Sequence, residues 1–214
     1  MNYFAHGRRF LDDPYFLAGT AVPDWLSVVD RGVRSRAKHA DALIDDSDAL
    51  IARVAQGIVQ HHRDDEWFHK TRAFAELSLS LTVKIRESMA ADHGFRPSFL
   101  GHILVELLLD AVLIERDQEA LHHYYRAMKQ ADPAVVELAV NRISPHATDK
   151  INLFLPRFCQ ERFLWDYAED GKLTGRLNQV LRRVGLSPLT SEFEQILPDA
   201  RRAVCERADE LMTE

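Results

Sequence analysis

The chain has 214 residues, a formal net charge of −6 and an ordinary hydrophobic content of 46%, which suits one domain with a sizeable core and gives no general attraction to nucleic acid or anionic membrane. Two cysteines far apart, Cys159 and Cys205, argue against a disulfide scaffold or a cysteine zinc site and fit a reducing compartment. The opening MNYFAHGRRFLDD lacks the long apolar core of a signal peptide, so a cytoplasmic protein is expected.

In chain order, Met1 to about Asp24 reads as irregular or partly helical, with Val22-Pro23-Asp24-Trp25 an extended step into a helix start. Arg31 to Lys38 carries Arg31, Arg34, Arg36 and Lys38; it is a solvated helix face or a docking patch for an acidic partner. Asp46-Ser47-Asp48 supplies N-cap chemistry to a helix whose apolar face is Leu50, Ile51, Val54 and Ile58, ending between Arg63 and Thr71. A second helix runs to about His93 with Gly94 as its stop. Pro97 opens the central helix. Asp117 and Asp132-Pro133 start two more, the second closed by Ser144-Pro145. Thr148 to Tyr167 is amphipathic with a kink expected at Pro156, and Lys172 to Val184 closes at Gly185. Ser191 to Glu194 has capping-box spacing before a final helix. No stretch sustains period-two alternation, so the expected fold is all-α, a multi-helix bundle in a single domain over residues 1–214.

Two polar constellations break this apolar pattern. The central helix, GHILVELLLDAVLI from Gly101 to Ile114, is apolar nearly all round except for His102, Glu106 and Asp110, which fall in one stripe at i, i+4, i+8. It is too short and too charged to span a bilayer. A helix of this kind is buried, and buried carboxylates need a metal or an opposite charge. The earlier helix offers His61 and Asp65 at i, i+4, with His69 four further on, and imidazole plus carboxylate suits a divalent metal. His6 and Asp24 lie among apolar neighbours at the N-terminus. A core histidine for His6, a surface pair for His61–Asp65 and a buried ion pair with arginine for Glu106 and Asp110 are the competing readings. Asp64, Glu66, His122, His123 and His146 are assigned to the surface. No Gly-rich phosphate loop, G-x-S-x-G or H-E-x-x-H is present, and Glu66-x-x-His69 has no second copy to make a di-iron bundle.

The order of these residues resembles a known family. Met1-Asn2-Tyr3-Phe4-Ala5-His6, Gly19-Thr20-Ala21-Val22-Pro23-Asp24-Trp25, Gly57-Ile58-x-x-His61-x-Arg63-x-Asp65, and Phe163-Leu164-x-x-Tyr167 with Leu177-Asn178-x-Val180-Leu181-x-Arg183 are similar to the acyl-carrier-protein phosphodiesterases. The resemblance implies an HD-like all-α fold and a divalent metal, usually manganese, with iron, magnesium or zinc as alternatives. It also implies hydrolysis of the phosphodiester joining 4′-phosphopantetheine to acyl carrier protein. It carries metal-site roles to His6, Asp24, His61, Asp65 and Asp110. The family's histidine after the central-helix aspartate is here Ala111, with His102 a candidate replacement.

Glu106 and His69 are then expected to orient ligands. Arg63 is the first choice to hold a phosphate, with Arg8 or Arg9 next, and Asp65 acts beside it. Acyl carrier protein is acidic, so Arg31, Arg34, Arg36 and Lys38 are the expected docking surface. Another phosphoester or nucleotide substrate, a non-catalytic helical interaction protein, and a di-metal carboxylate protein built on Glu66, His69, Glu106 and Asp110 are the alternatives.

Overall fold

The computed structural model describes residues 1–88 and 96–213, and all regular structure among them is helical. The expected helix end near His93 and Gly94 lies outside the described residues. The chain divides into two compact units, Met1–Glu66 with Asp117–Arg162, and Trp67–Arg116 with Phe163–Glu214.

The first unit opens with a short helix α1 (Tyr3–Gly7) and then α2 (Pro14–Val29). Here the structure departs from the sequence expectation: the stretch through Pro23 is one continuous helix. The Asp13 carboxylate accepts the Phe16 N–H and Pro14 stands at the first helical position, a start that needs no later break. Pro23 lies inside α2, where the burial of Leu17, Ala18, Ala21, Val22, Trp25 and Leu26 outweighs its missing hydrogen bond. Arg31 to Arg36 form a turn and irregular backbone, and only α3 (Ala37–Asp41) beyond them is helical. In α4 (Ala49–Phe68), Asp48 caps as expected, accepting from the N–H groups of Leu50 and Ile51.

Three helices of the first unit follow later in the chain, separated from α4 by α5 (Arg72–Ser88) and α6 (Pro97–Arg116) of the second. The first two are α7 (Gln118–Met128), capped by Asp117, and α8 (Pro133–Ile143), capped by Asp132. The last is α9 (Ile151–Glu161), ended by Arg162 in the left-handed conformation at φ 48°. That turn breaks the expected helix to Tyr167 in two. Phe158 of α9 meets the fully buried Trp25 edge-on at 5.3 Å and Tyr3 at 5.3 Å. Each such aromatic contributes about 1.5–3 kcal/mol by burial. The backbones of α2 and α4 touch: a Cβ on Gly57 would stand 2.1 Å from the Phe16 carbonyl oxygen and 2.8 Å from Gly19 Cα.

In the second unit α5 packs along α6, and both meet α11 (Ser191–Glu206). A 3₁₀ helix (Phe163–Ala168), α10 (Asp170–Arg183) and α12 (Ala208–Leu211) complete it. Gly185, at φ 74°, follows the end of α10 as expected. The capping box at Ser191–Glu194 does not form: α11 starts after Thr190 without a side-chain cap. Helix α6 extends beyond Gly101–Ile114 at both ends, and by length and composition it matches a membrane span; 67% of its most apolar window is buried inside the protein, as for a core helix.

The α2–α4 contact is testable. Gly57→Ala is expected to cost about 1–3 kcal/mol in urea denaturation, against the ~1 kcal/mol that alanine adds to an open helix position. Gly175→Ala on α10, with nothing within 4 Å of the new carbon, should show that gain alone. Stabilisation by both substitutions would mean the two backbones do not touch.

Candidate metal centre

Helix α1 is short, apolar and wholly buried, and it delivers His6 to α4 at 0% exposure. On α4, His61 and Asp65 share a face through their i, i+4 spacing. Ligand atoms of His6, His61 and Asp65 all lie within 4.8 Å of one another. The two imidazoles stack at 4.1 Å between centroids. His6 Nε2 is 3.3 Å from Asp65 Oδ1, and His61 Nε2 is 3.5 Å from Asp65 Oδ2. Two ligands on one ion at ~2.1 Å bonds and tetrahedral angles are separated by ~3.4 Å.

The far side of each ring decides what the near side can do. His61 Nδ1 donates to the Thr20 carbonyl oxygen of α2 at 2.9 Å. A carbonyl only accepts, so the hydrogen sits on Nδ1 and the Nε2 lone pair faces Asp65. His6 Nδ1 donates to Asp64 Oδ2 at 3.2 Å, and its buried Nε2 has no hydrogen-bond partner. Both rings are therefore held by Nδ1, with both Nε2 atoms turned to one carboxylate, which is how metal-binding histidines are oriented. The residues present fit a divalent ion, and three protein ligands leave coordination positions open.

Asp64 is a correction to the sequence reading, which put it in solvent. It is 1% exposed and receives Gln60 Nε2 at 2.8 Å and Arg9 at 3.4 Å. Adjacent helix positions are ~100° apart, so a ring arriving from another helix fits between Asp64 and Asp65. The signal available was Gln60 four residues before Asp64, a polar pair on the flank of the ligand face.

Charge follows this geometry. Burial opposes protonation of His6, but Asp64 and Asp65 overcome it and push its pKa up to about 9. His61 goes the other way, lowered by burial and by the positive His6 ring. Asp65 is held below the usual carboxylate range despite burial, by His6, the Met1 nitrogen at 2.7 Å and His61.

The remaining expected residues are distributed as follows. Asp24 is half-buried one turn beyond Thr20 on α2 and is outside the three-residue cluster. Arg63 is exposed, and its position on α4 turns it ~200° from both His61 and Asp65; Arg9 contacts Asp64, the carboxylate behind the His6 ring. His62 Nε2 lies 2.7 Å from the Ser35 carbonyl oxygen, and these two residues line a cavity of about 500 Å³ with Arg31, Arg34, Arg36 and Pro23. Ser35 Oγ is buried there without a hydrogen-bond partner. In the second unit, His69, His102 and Glu106 form a group of their own. Burial disfavours the charged form of Glu106, yet nearby positive charge and hydrogen bonds from His102 and His69 hold its pKa down at about 2. Asp110 is fully buried on α6 and belongs to neither group. No family model, curated protein or solved structure significantly matches the chain.

Three outcomes follow. A proton and a metal ion compete for His6 Nε2, so calorimetric titration with Mn²⁺ at pH 7.5 should release about one proton per ion, and affinity should rise with pH until about 9. Without metal the sign is opposite. A pKa raised from 6.5 stabilises the fold fully below 6.5, and that contribution is lost as pH rises through about 9. A pH-independent affinity would remove His6 from the ligand set. Asp64→Asn should keep the helical circular dichroism and weaken Mn²⁺ binding about 10–100-fold.

Proposed function

We propose that the chain is a metal-dependent phosphoester hydrolase with His6, His61 and Asp65 as ligands and Asp64 and the Thr20 carbonyl holding the two rings. The observation that carries this reading is the pair of Nδ1-anchored imidazoles with both Nε2 atoms turned to Asp65. When bound, a divalent ion, manganese in the family the sequence resembles, supplies Lewis acidity toward a phosphoryl oxygen and acidifies water. The protein supplies the rest. Asp64, paired with Arg9, fixes the His6 ring, and the Thr20 carbonyl fixes the His61 tautomer.

The substrate reading is release of 4′-phosphopantetheine from acyl carrier protein. It rests on the sequence resemblance and on Arg31, Arg34 and Arg36 around a cavity that begins at His62, whose ring lies edge-on to His61 at 5.3 Å. Lys38, exposed on α3, extends the same cationic run for an acidic partner. A second reading is a small free phosphoester or nucleotide. The cavity volume of about 500 Å³ is in the range of small-molecule sites, and Ala111 departs from the family pattern.

Incubation of the Mn²⁺-loaded protein with holo-acyl carrier protein, read by mass spectrometry, should show loss of the prosthetic group. A generic aryl phosphodiester run in parallel separates the two readings. His61→Ala should lower kcat/KM at least about a hundredfold, since the ion is worth several kcal/mol. Turnover of neither substrate by metal-loaded protein would sink the hydrolase reading.

A further inference from the structure

The second unit holds a group that the proposed hydrolase does not use. His102 and Glu106 are one turn apart on α6, and His69 comes from the turn directly after α4. Both imidazoles direct Nε2 at the same oxygen, Glu106 Oε1, from 2.8 Å for His69 and 3.4 Å for His102. The two rings lie 4.8 Å apart, and Phe74 of α5 packs against both, at 4.9 Å from His69 and 4.8 Å from His102. The aromatic contact limits rotation of both rings, so the convergence on Glu106 is held from a second helix.

We infer that His69, His102 and Glu106 form a second divalent transition-metal site, of the two-histidine, one-carboxylate type. The donor set suits zinc and its neighbours cobalt and nickel, for which imidazole and carboxylate are common ligands, rather than calcium or magnesium. The His102 separation of 3.4 Å matches the ~3.4 Å between two ligands of one such ion, and the 2.8 Å hydrogen bond of His69 opens by about 0.6 Å to reach it. The site differs in character from the first group. Side-chain exposures of 31%, 42% and 15% for His69, His102 and Glu106 leave it open to solvent, so an ion enters and leaves without rearrangement of the helix core, and its remaining positions are open to water or an exogenous ligand. The ordinary alternative, two histidines hydrogen-bonded to a carboxylate with no ion, uses the same contacts and separates from the proposal only by metal binding.

The test is titration of the metal-free full chain with Co²⁺, read by its visible absorption and by calorimetry. The wild type should take up two ions per chain, matching the two groups. The double variant His69→Gln/His102→Gln should take up one, and His61→Ala should take up one. The half-exposed positions make the first variant mild for the fold, and far-UV circular dichroism checks both. Uptake in His69→Gln/His102→Gln equal to the wild type overturns the second site and leaves the first standing. A wild type that takes up only one ion in all, with none taken up by either variant, overturns it as an independent site. A wild type that takes up only one ion, absent in His69→Gln/His102→Gln and kept in His61→Ala, supports it and counts against the hydrolase centre instead. No uptake by the wild type overturns both.

Discussion

The approach of α2 to α4 is the constraint on which the first unit depends. Two glycines, Gly19 and Gly57, let the backbones come within contact, and any side chain there would enter backbone atoms of the facing helix. One residue after Gly19 stands Thr20, and one turn after Gly57 stands His61. The close approach is what puts the Thr20 carbonyl within 2.9 Å of the His61 ring. A ligand orientation is therefore set by two residues with no chemistry of their own, and the register between the helices is set with it.

Given that frame, the buried charges of the centre form one balanced system. A fully buried imidazole between two carboxylates would be costly if any member were alone, by several kcal/mol per ion. Here His6 protonated, His61 neutral and Asp65 ionised place opposite charges side by side, with the Met1 nitrogen on the other side of Asp65. Replacing the His6 proton by a cation keeps a positive charge at the same place. The arrangement is thus stable without metal and suited to it for the same reason.

Much of this was legible in the sequence where the determinants are local. The caps at Asp48, Asp117 and Asp132 depend on a carboxylate and the next few N–H groups, and all three form. His61 and Asp65 share a face by helical arithmetic. What depends on distant residues was not legible. Pro23 reads as a break because its penalty is local, whereas the burial that overrides it comes from α7, α8 and α9. Asp64 reads as solvent-facing until His6 arrives from the other end of the chain. Arg63 follows the same logic in reverse: the sequence places it between two ligands, and the helix turns it away. The pairing of His69 with His102 and Glu106 needs the packing of Phe74, which no spacing announces.

The first unit is assembled from two pieces of chain with the second unit's Trp67–Arg116 between them. His6, His61, Asp64 and Asp65 all lie in the earlier piece, while Phe154 and Phe158, which cover Trp25, lie in the later one. During synthesis every ligand emerges from the ribosome long before the aromatic layer that closes the core around Trp25. A chain stopped before Asp117 carries all four side chains on an unfinished scaffold, so their surroundings are completed only when Asp117–Arg162 has been made.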